Sequence, residues 1–213
     1  MRSTQPIKNQ LAEALSVRAD DLLKRDGFIR KQRSLVYTKA LDEGEQRLTI
    51  GAQCHPRYEP GAEVHIYPSI QVLMPRVSDE ALGLLGGDRF LLGNAPEFIV
   101  RQPLDFFAPK DSRELWFASG TEQMVSESDR IVSFFRRWGL PFLSRAGTPS
   151  DLVKLYEHSD PFVASSEYWY AYITAAYRLL GEEEKARGVV RQHFSAPGIK
   201  ARYGVLFKSL GME

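Results

Sequence analysis

Residues 63–74, EVHIYPSIQVLM, alternate apolar and polar side chains along one β-strand, and this alternation decides the fold. Residues 47–54, RLTIGAQC, alternate in the same way. Successive side chains of a strand point to opposite faces of a sheet, so one parity of both strands is assigned to the core. This predicted core face carries Leu48, Ile50, Ala52, Cys54, Val64, Ile66, Ile70, Val72 and Met74.

The opposite parity of the two strands predicts a polar face with hydrogen-bonding and aromatic side chains as well as charges. His55 and His65 can meet there across neighbouring strands, where two imidazoles would bind an anion or relay a proton. The competing interpretation is that both are surface histidines satisfied by water. We predict a binding site on this face, formed by Arg47, Gln53, His55, His65, Tyr67 and Gln71.

A further strand, residues 35–41, precedes these two, and the polar residues 42–44 predict a hairpin turn behind it. Connections this short join antiparallel neighbours, because a parallel pair needs a crossover of about a dozen residues. Ahead of the sheet, residues 4–26 place apolar side chains on one helical stripe, and Gly27 predicts the end of that helix.

Beyond the sheet the helix signals become more frequent. A short helix is predicted after Pro75, with Ser78 as its N-cap, and the apolar runs 90–92, 98–100 and 115–117 predict short strands. Helices are then predicted from Thr121 to a stop signal at 139–141, from Thr148, over 166–180 and 182–193 on either side of Gly181, and over 199–210.

The predicted fold class is therefore α+β. An antiparallel sheet carries the N-terminal helix packed on one face and is followed by a mostly helical C-terminal half. We divide the chain into a sheet region, 1–120, and a helical region, 121–213, and expect them to pack together as one globular unit.

Composition excludes several classes of partner. Lys and Arg number 28 against 27 for Asp and Glu, a formal charge of +1, so overall charge favours neither nucleic acid nor a membrane surface. The single cysteine cannot form an internal disulfide, which suits a reducing compartment. No secretory signal and no long apolar span is present, so we expect a cytoplasmic protein without a membrane or nucleic-acid partner.

The sequence carries no signature of catalysis. No phosphate-binding loop or nucleophile elbow is present, so we expect no cofactor. No histidine has a second one three to five residues away, and we therefore expect no metal. Cys54 lies on the predicted core face while His55 points the other way, which indicates a small buried hydrophobe rather than a nucleophile.

The sequence resembles known families in two respects. The run LKRDGF at 23–28, the strands from 35 to 74, and WGLPFL at 138–143 resemble a bacterial family of uncharacterised proteins. That likeness implies the architecture and, by analogy, an immunity or accessory protein of a toxin system. One helical pair is similar to a single tetratricopeptide repeat, with an ordinary helical hairpin as the alternative. Its spacing is carried by Tyr170, Ile173, Tyr177, Gly181, Ala186 and Val190.

Two hypotheses about function follow from the sequence. The first is a non-enzymatic protein-binding protein, of the toxin-neutralising or accessory kind, that uses the polar sheet face or the aromatic helical half. The second is an enzyme or small-ligand binder with a polar cleft between sheet and helices, for which Arg47, His55, His65 and Tyr67 supply the polar groups. Self-association of the helical half is a further possibility that the sequence leaves open.

Overall fold

The computed structural model describes residues 5–93, 95–163 and 166–212. The first residue of the helix predicted over 4–26 lies outside them. The chain forms two compact units. Unit 1 comprises the described residues of Met1–Ala40, Gln46–Gln71 and Arg101–Ser144; unit 2 comprises those of Leu41–Glu45, Val72–Val100 and Arg145–Glu213. These units interleave in sequence, whereas the predicted division was a single boundary after residue 120.

In the described residues, six strands form one antiparallel sheet, which confirms the predicted fold class. Its order is β1-β2-β3-β4-β5, and β6 also pairs with β4. The pairing of β6 with β4 covers Val64–Ile66 and so ends before Pro68, which has no N–H to donate to a ladder. The strands are β1 Ile29–Arg30, β2 Val36–Leu41, β3 Gly44–Cys54, β4 Val64–Leu73, β5 Val100–Pro103 and β6 Trp116–Ala118.

The assignment of the core face by parity is confirmed in the middle of the strands. Leu48, Ile50, Val64 and Ile66 are at most 2% exposed, whereas Ala52 and Cys54 near the end of β3 are half-buried. The same parity also buries Gln46, and its side-chain amide donates to the carbonyl of Leu143 at 2.7 Å. That hydrogen bond explains how a polar residue is accommodated in the core.

The helices account for most of the remaining described chain. They are α1 Gln5–Val17, α2 Ala19–Arg25, α3 Pro75–Leu84, α4 Thr121–Phe134, α5 Leu140–Leu143, α6 Pro149–Glu157, α7 Glu167–Leu179, α8 Glu183–His193, α9 Pro197–Arg202 and α10 Gly204–Ser209. Short 3₁₀ turns cover Arg89–Leu92, Leu104–Phe107 and Lys110–Ser112. Residues 90–92 are therefore not a strand, and that prediction was wrong.

The first predicted helix is two helices. Arg18 leaves the helical conformation with φ −143°, and α2 begins at Ala19. The end of α2 agrees with the prediction: Gly27 has φ +87°, its N–H donates to Lys24, and the N–H of Phe28 donates to Leu23. These two bonds form the Schellman motif, in which a glycine accepts the left-handed conformation without steric cost.

A buried guanidinium joins four segments of unit 1. The side chain of Arg30 is 3% exposed and donates twice to the carboxylate of Asp20, at 2.8 and 2.7 Å. It also donates to the carbonyls of Ser34, at 2.7 Å, and Ala12, at 3.1 Å. The hydroxyl of buried Tyr37 donates to the same carboxylate at 2.6 Å. Burial, followed by the bond to Asp20, raises the pKa of Tyr37.

The predicted helix stop at 139–141 was wrong. The helix continues from α4 through a π-helical turn, Phe135–Gly139, directly into α5. A π-turn shifts the hydrogen-bond register by one residue, so Pro141 lies in the first turn of α5, where a proline N–H is dispensable. Gly139 is buried by close packing, because a Cβ there would approach Ile70 Cδ1 to 2.7 Å.

Two helix boundaries in unit 2 also differ from prediction. Ser78 is not the N-cap of α3: Met74 occupies that position, because Pro75 begins the helix at N1. The terminal helix divides at Tyr203, whose hydroxyl donates to the carbonyl of Leu91 at 3.0 Å. By contrast, the predicted cap Thr148 is confirmed, since its hydroxyl accepts a backbone N–H three residues on. The helix predicted over 166–180 is also present, and Ser166 caps it in the same way.

We predict that Arg30→Ala destabilises the protein by about 3 kcal/mol or more, because it leaves a partly buried carboxylate and two carbonyls without their donor. Urea unfolding followed by circular dichroism measures this. Arg25→Ala, at an exposed position of α2, is the matched control and should change stability by less than about 0.5 kcal/mol. Equal effects of the two substitutions would contradict the network's role.

We predict opposite signs for two glycine-to-alanine substitutions in helices. Gly188→Ala in α8, where a Cβ meets nothing within 4 Å, should stabilise by up to about 1 kcal/mol through helix propensity. Gly139→Ala should destabilise by about 1 kcal/mol or more, because Ile70, Phe135 and Leu104 must move. The midpoints of urea unfolding give both values, and a stabilising Gly139→Ala would disprove the close packing.

Candidate functional site

A chain of hydrogen bonds crosses the outer face of the sheet where β3 ends and β4 begins. The hydroxyl of Tyr58 donates to Gln53 Oε1 at 3.0 Å and lies 2.6 Å from His65 Nδ1. The tautomer of His65 decides which of the two groups donates in this second hydrogen bond.

Four rings assemble around this chain, and we call Tyr58, His65, Tyr67 and Phe117 the aromatic cluster. Phe117 is the β6 partner of His65, and their rings stack at 4.7 Å between centroids. The rings of Tyr58 and Tyr67 each lie 5.8 Å from His65. Tyr67 also covers Gly51, where an added Cβ would overlap its ring. Glycine on β3 is therefore needed to seat Tyr67 flat on the sheet.

The aromatic cluster is open to solvent. Tyr58 is 59% and Tyr67 49% exposed, and the neighbouring Gln53 is exposed as well. Burial lowers the pKa of His65, so at neutral pH its ring carries no charge. The surface therefore presents uncharged rings and hydrogen-bonding groups that are already ordered by contacts with one another.

Three of the six predicted site residues come together here: Gln53, His65 and Tyr67. Gln71 is only 6% exposed and lies six residues from His65, which is about 20 Å along an extended strand. Arg47 is half-buried and is equally far from Gln53 along β3. His55 has φ +50° and turns out of the strand, and no hydrogen bond or ring contact joins it to His65 in the described residues.

Unit 2 contains a second candidate, an open cavity of about 480 Å³. It is formed by α6 and the loop after it, the start of α7 and the end of α8. His193 stacks on Tyr170 at 3.5 Å between centroids, and its Nε2 lies 3.1 Å from the hydroxyl of Tyr156. That hydroxyl also donates to Gln192 Oε1 at 3.2 Å. None of the six predicted site residues lines this cavity.

The cavity also has two carboxylates on its wall. Asp160, 8% exposed, accepts from Arg145 at 2.7 Å and from the N–H of Phe162. Glu157 Oε1 accepts from Tyr177 at 2.9 Å and from Lys185 at 3.2 Å. Those two hydrogen bonds lower the pKa of Glu157, so the carboxyl group is ionised at neutral pH. Burial lowers the pKa of His193 and raises that of Tyr156, so both stay neutral.

Most of these residues were not predicted from the sequence, for definite reasons. Tyr58 lies in the loop between β3 and β4, where strand parity assigns no face. His193 has no second histidine three to five residues away, so the spacing of a metal site does not mark it. A different signal was available: Tyr170 precedes Gly181 by 11 residues and His193 follows it by 12, so the two meet across the hairpin.

Other kinds of site find little support within the described residues. They contain no group of three or more His, Cys, Asp or Glu side chains arranged to hold a metal ion. Every described helix is too short or too polar to cross a membrane. Burial raises the pKa of the Cys54 thiol, which disfavours its thiolate form, and the side chain is half-buried rather than buried as predicted.

We predict that the protein loses stability as pH falls below about 6.5. The pKa values of His65 and His193 are lower in the folded protein than the unfolded value of 6.5. Below that pH the unfolded chain binds protons more readily at these two residues, so protonation favours unfolding. Urea unfolding at pH 7.5 and 5.5 measures the loss. The double variant His65→Gln, His193→Gln should lose less stability over this interval, and an unchanged loss would refute the assignment.

Comparison with known proteins returns no match: no family model, no curated protein and no solved structure is similar to this chain. The resemblance to a bacterial family of uncharacterised proteins therefore stays a prediction from the residues 23–28, 35–74 and 138–143. The hairpin of α7 and α8 is present as predicted, and its likeness to a tetratricopeptide repeat rests on residue spacing alone.

Proposed function

We propose that this chain is a non-enzymatic cytoplasmic protein whose function is to bind another protein, and that the aromatic cluster is the centre of the binding surface. The observation that carries the proposal is the exposure of two tyrosines, Tyr58 and Tyr67, beside the stacked pair of His65 and Phe117. The core of a protein interface is typically rich in aromatic residues and poor in charged ones.

The side chains of the aromatic cluster are fixed by contacts with one another, which supports this proposal. Side chains that are fixed before binding lose little conformational entropy when a partner covers them. Tyr58 is held by Gln53 and His65, and Tyr67 is held against Gly51. Tyrosine also offers a large apolar ring with a hydroxyl at its tip, which is why it is enriched among residues that dominate binding energy.

The kind of partner follows from the same chemistry. A surface of neutral rings with hydroxyl, imidazole and amide groups suits a folded protein that buries rings and pairs their polar tips. The rings and the amide of this surface offer no positive charge to a phosphate backbone, on which nucleic-acid binding relies. The finer form of the proposal is a toxin-neutralising or accessory protein, whose partner is one protein bound tightly.

Affinity capture with quantitative mass spectrometry in the native host tests this proposal. The tagged wild-type protein should enrich one protein, and the double variant Tyr58→Ala, Tyr67→Ala should lose it. Truncating two central anchors is expected to weaken binding by at least about thirtyfold, since even one such residue contributes about 2 kcal/mol or more. The pair should then be reconstituted from purified proteins and its Kd measured by calorimetry.

The matched control is Phe90→Ala. Phe90 is 93% exposed, more than either tyrosine, so it would dominate any capture caused by non-specific hydrophobic adhesion. The control should retain the partner. A partner retained equally by the double variant, or lost equally by Phe90→Ala, would overturn the role of the aromatic cluster.

A further inference from the structure

The cavity of unit 2 lies apart from the aromatic cluster in sequence and has a different chemistry. Its wall carries two carboxylates, Glu157 and Asp160, and among the described residues that line it there is no lysine or arginine. Neutral aromatic rings and an amide make up much of the remaining wall. Tyr156, Trp169, Tyr170, Gln192 and His193 supply these groups.

One carboxylate oxygen is in a position to take a ligand. Glu157 Oε1 holds Tyr177 and Lys185, whereas in the described part of the chain no hydrogen bond reaches Glu157 Oε2. Glu157 is ionised at neutral pH, so its Oε2 is an anionic acceptor on a residue that lines the cavity. By comparison, both oxygens of Asp160 are already engaged, by Arg145 and by Phe162.

From this arrangement we infer that the cavity binds an organic cation, an ammonium or guanidinium group, with Glu157 as its charged partner and the tyrosines Tyr156 and Tyr170 as its aromatic wall. A cation gains both from a carboxylate and from the face of an aromatic ring within about 6 Å. An anion would meet two carboxylates and no basic side chain on the wall. A volume of about 480 Å³ is in the range of small-molecule sites.

Because His193 lines the cavity, its protonation makes the affinity for a charged ligand depend on pH. Among the described residues, the titratable groups that line the cavity with His193 are Tyr156, Glu157 and Asp160 from α6 and the loop after it, and Tyr170 from α7. Lys185 and Arg145 are paired with the two carboxylates. Protonation of His193 adds a positive charge to the cavity. Affinity for a cation therefore falls as pH is lowered, whereas affinity for an anion would rise.

Calorimetric titration of the full chain tests the inference with three probes. Agmatine represents a free amine metabolite, and N-acetyl-arginine N-methylamide represents a basic side chain of a polypeptide. N-acetyl-glutamate N-methylamide is the anionic control. We expect the cationic probes to bind more tightly at pH 7.5 than at pH 5.5 and the anionic probe not to bind. The tighter of the two cations identifies the source of the ligand.

Two variants separate charge recognition from folding. Glu157→Gln keeps the shape of the side chain but removes its charge, and it should weaken cation binding about tenfold or more. Glu182→Gln is the matched control, because Glu182 also pairs with Lys185 but does not line the cavity. Equal binding by wild type and Glu157→Gln, preference for the anionic probe, or no cation binding would overturn the inference. This result is independent of the aromatic cluster, whose residues are unchanged.

Discussion

The guanidinium of Arg30 is the group on which the architecture of unit 1 depends most. Its donors reach the carbonyls of Ala12 and Ser34 and the carboxylate of Asp20, which also accepts from Tyr37. A buried charge is tolerated only when its partners are complete, so these four segments must hold one geometry together. The break at Arg18 supports this arrangement, because α2 starts in a new direction and carries Asp20.

The aromatic cluster depends on a similar relation between backbone and side chains. The β4–β6 ladder places Phe117 against His65, and a glycine on β3 leaves space for the ring of Tyr67. The loop after β3 then returns Tyr58 to the same face, where its hydroxyl links Gln53 to His65. Contacts within the sheet thus fix the rings while leaving Tyr58 and Tyr67 exposed, as a binding surface requires.

The two candidate sites differ in the interactions that they offer. The aromatic cluster is exposed, uncharged at neutral pH and suited to burial under a large partner. The cavity of unit 2 is concave and carries an ionised carboxylate with one oxygen directed to no described donor. In each site burial keeps a histidine neutral, so both sites change charge when the pH falls. Acidification would therefore add a positive charge to both sites through protonation of a histidine.

The sequence by itself determined the fold class, the three long strands, the buried parity in the middle of β3 and β4, and the helix boundaries at Gly27, Thr148 and Ser166. Each of these follows from local periodicity or from a backbone requirement of one residue. Tertiary structure decided what periodicity does not encode. Pro141 was accommodated by a π-turn, His55 turned away from His65, and His193 met Tyr170 across a hairpin, because long-range packing selects among locally allowed conformations.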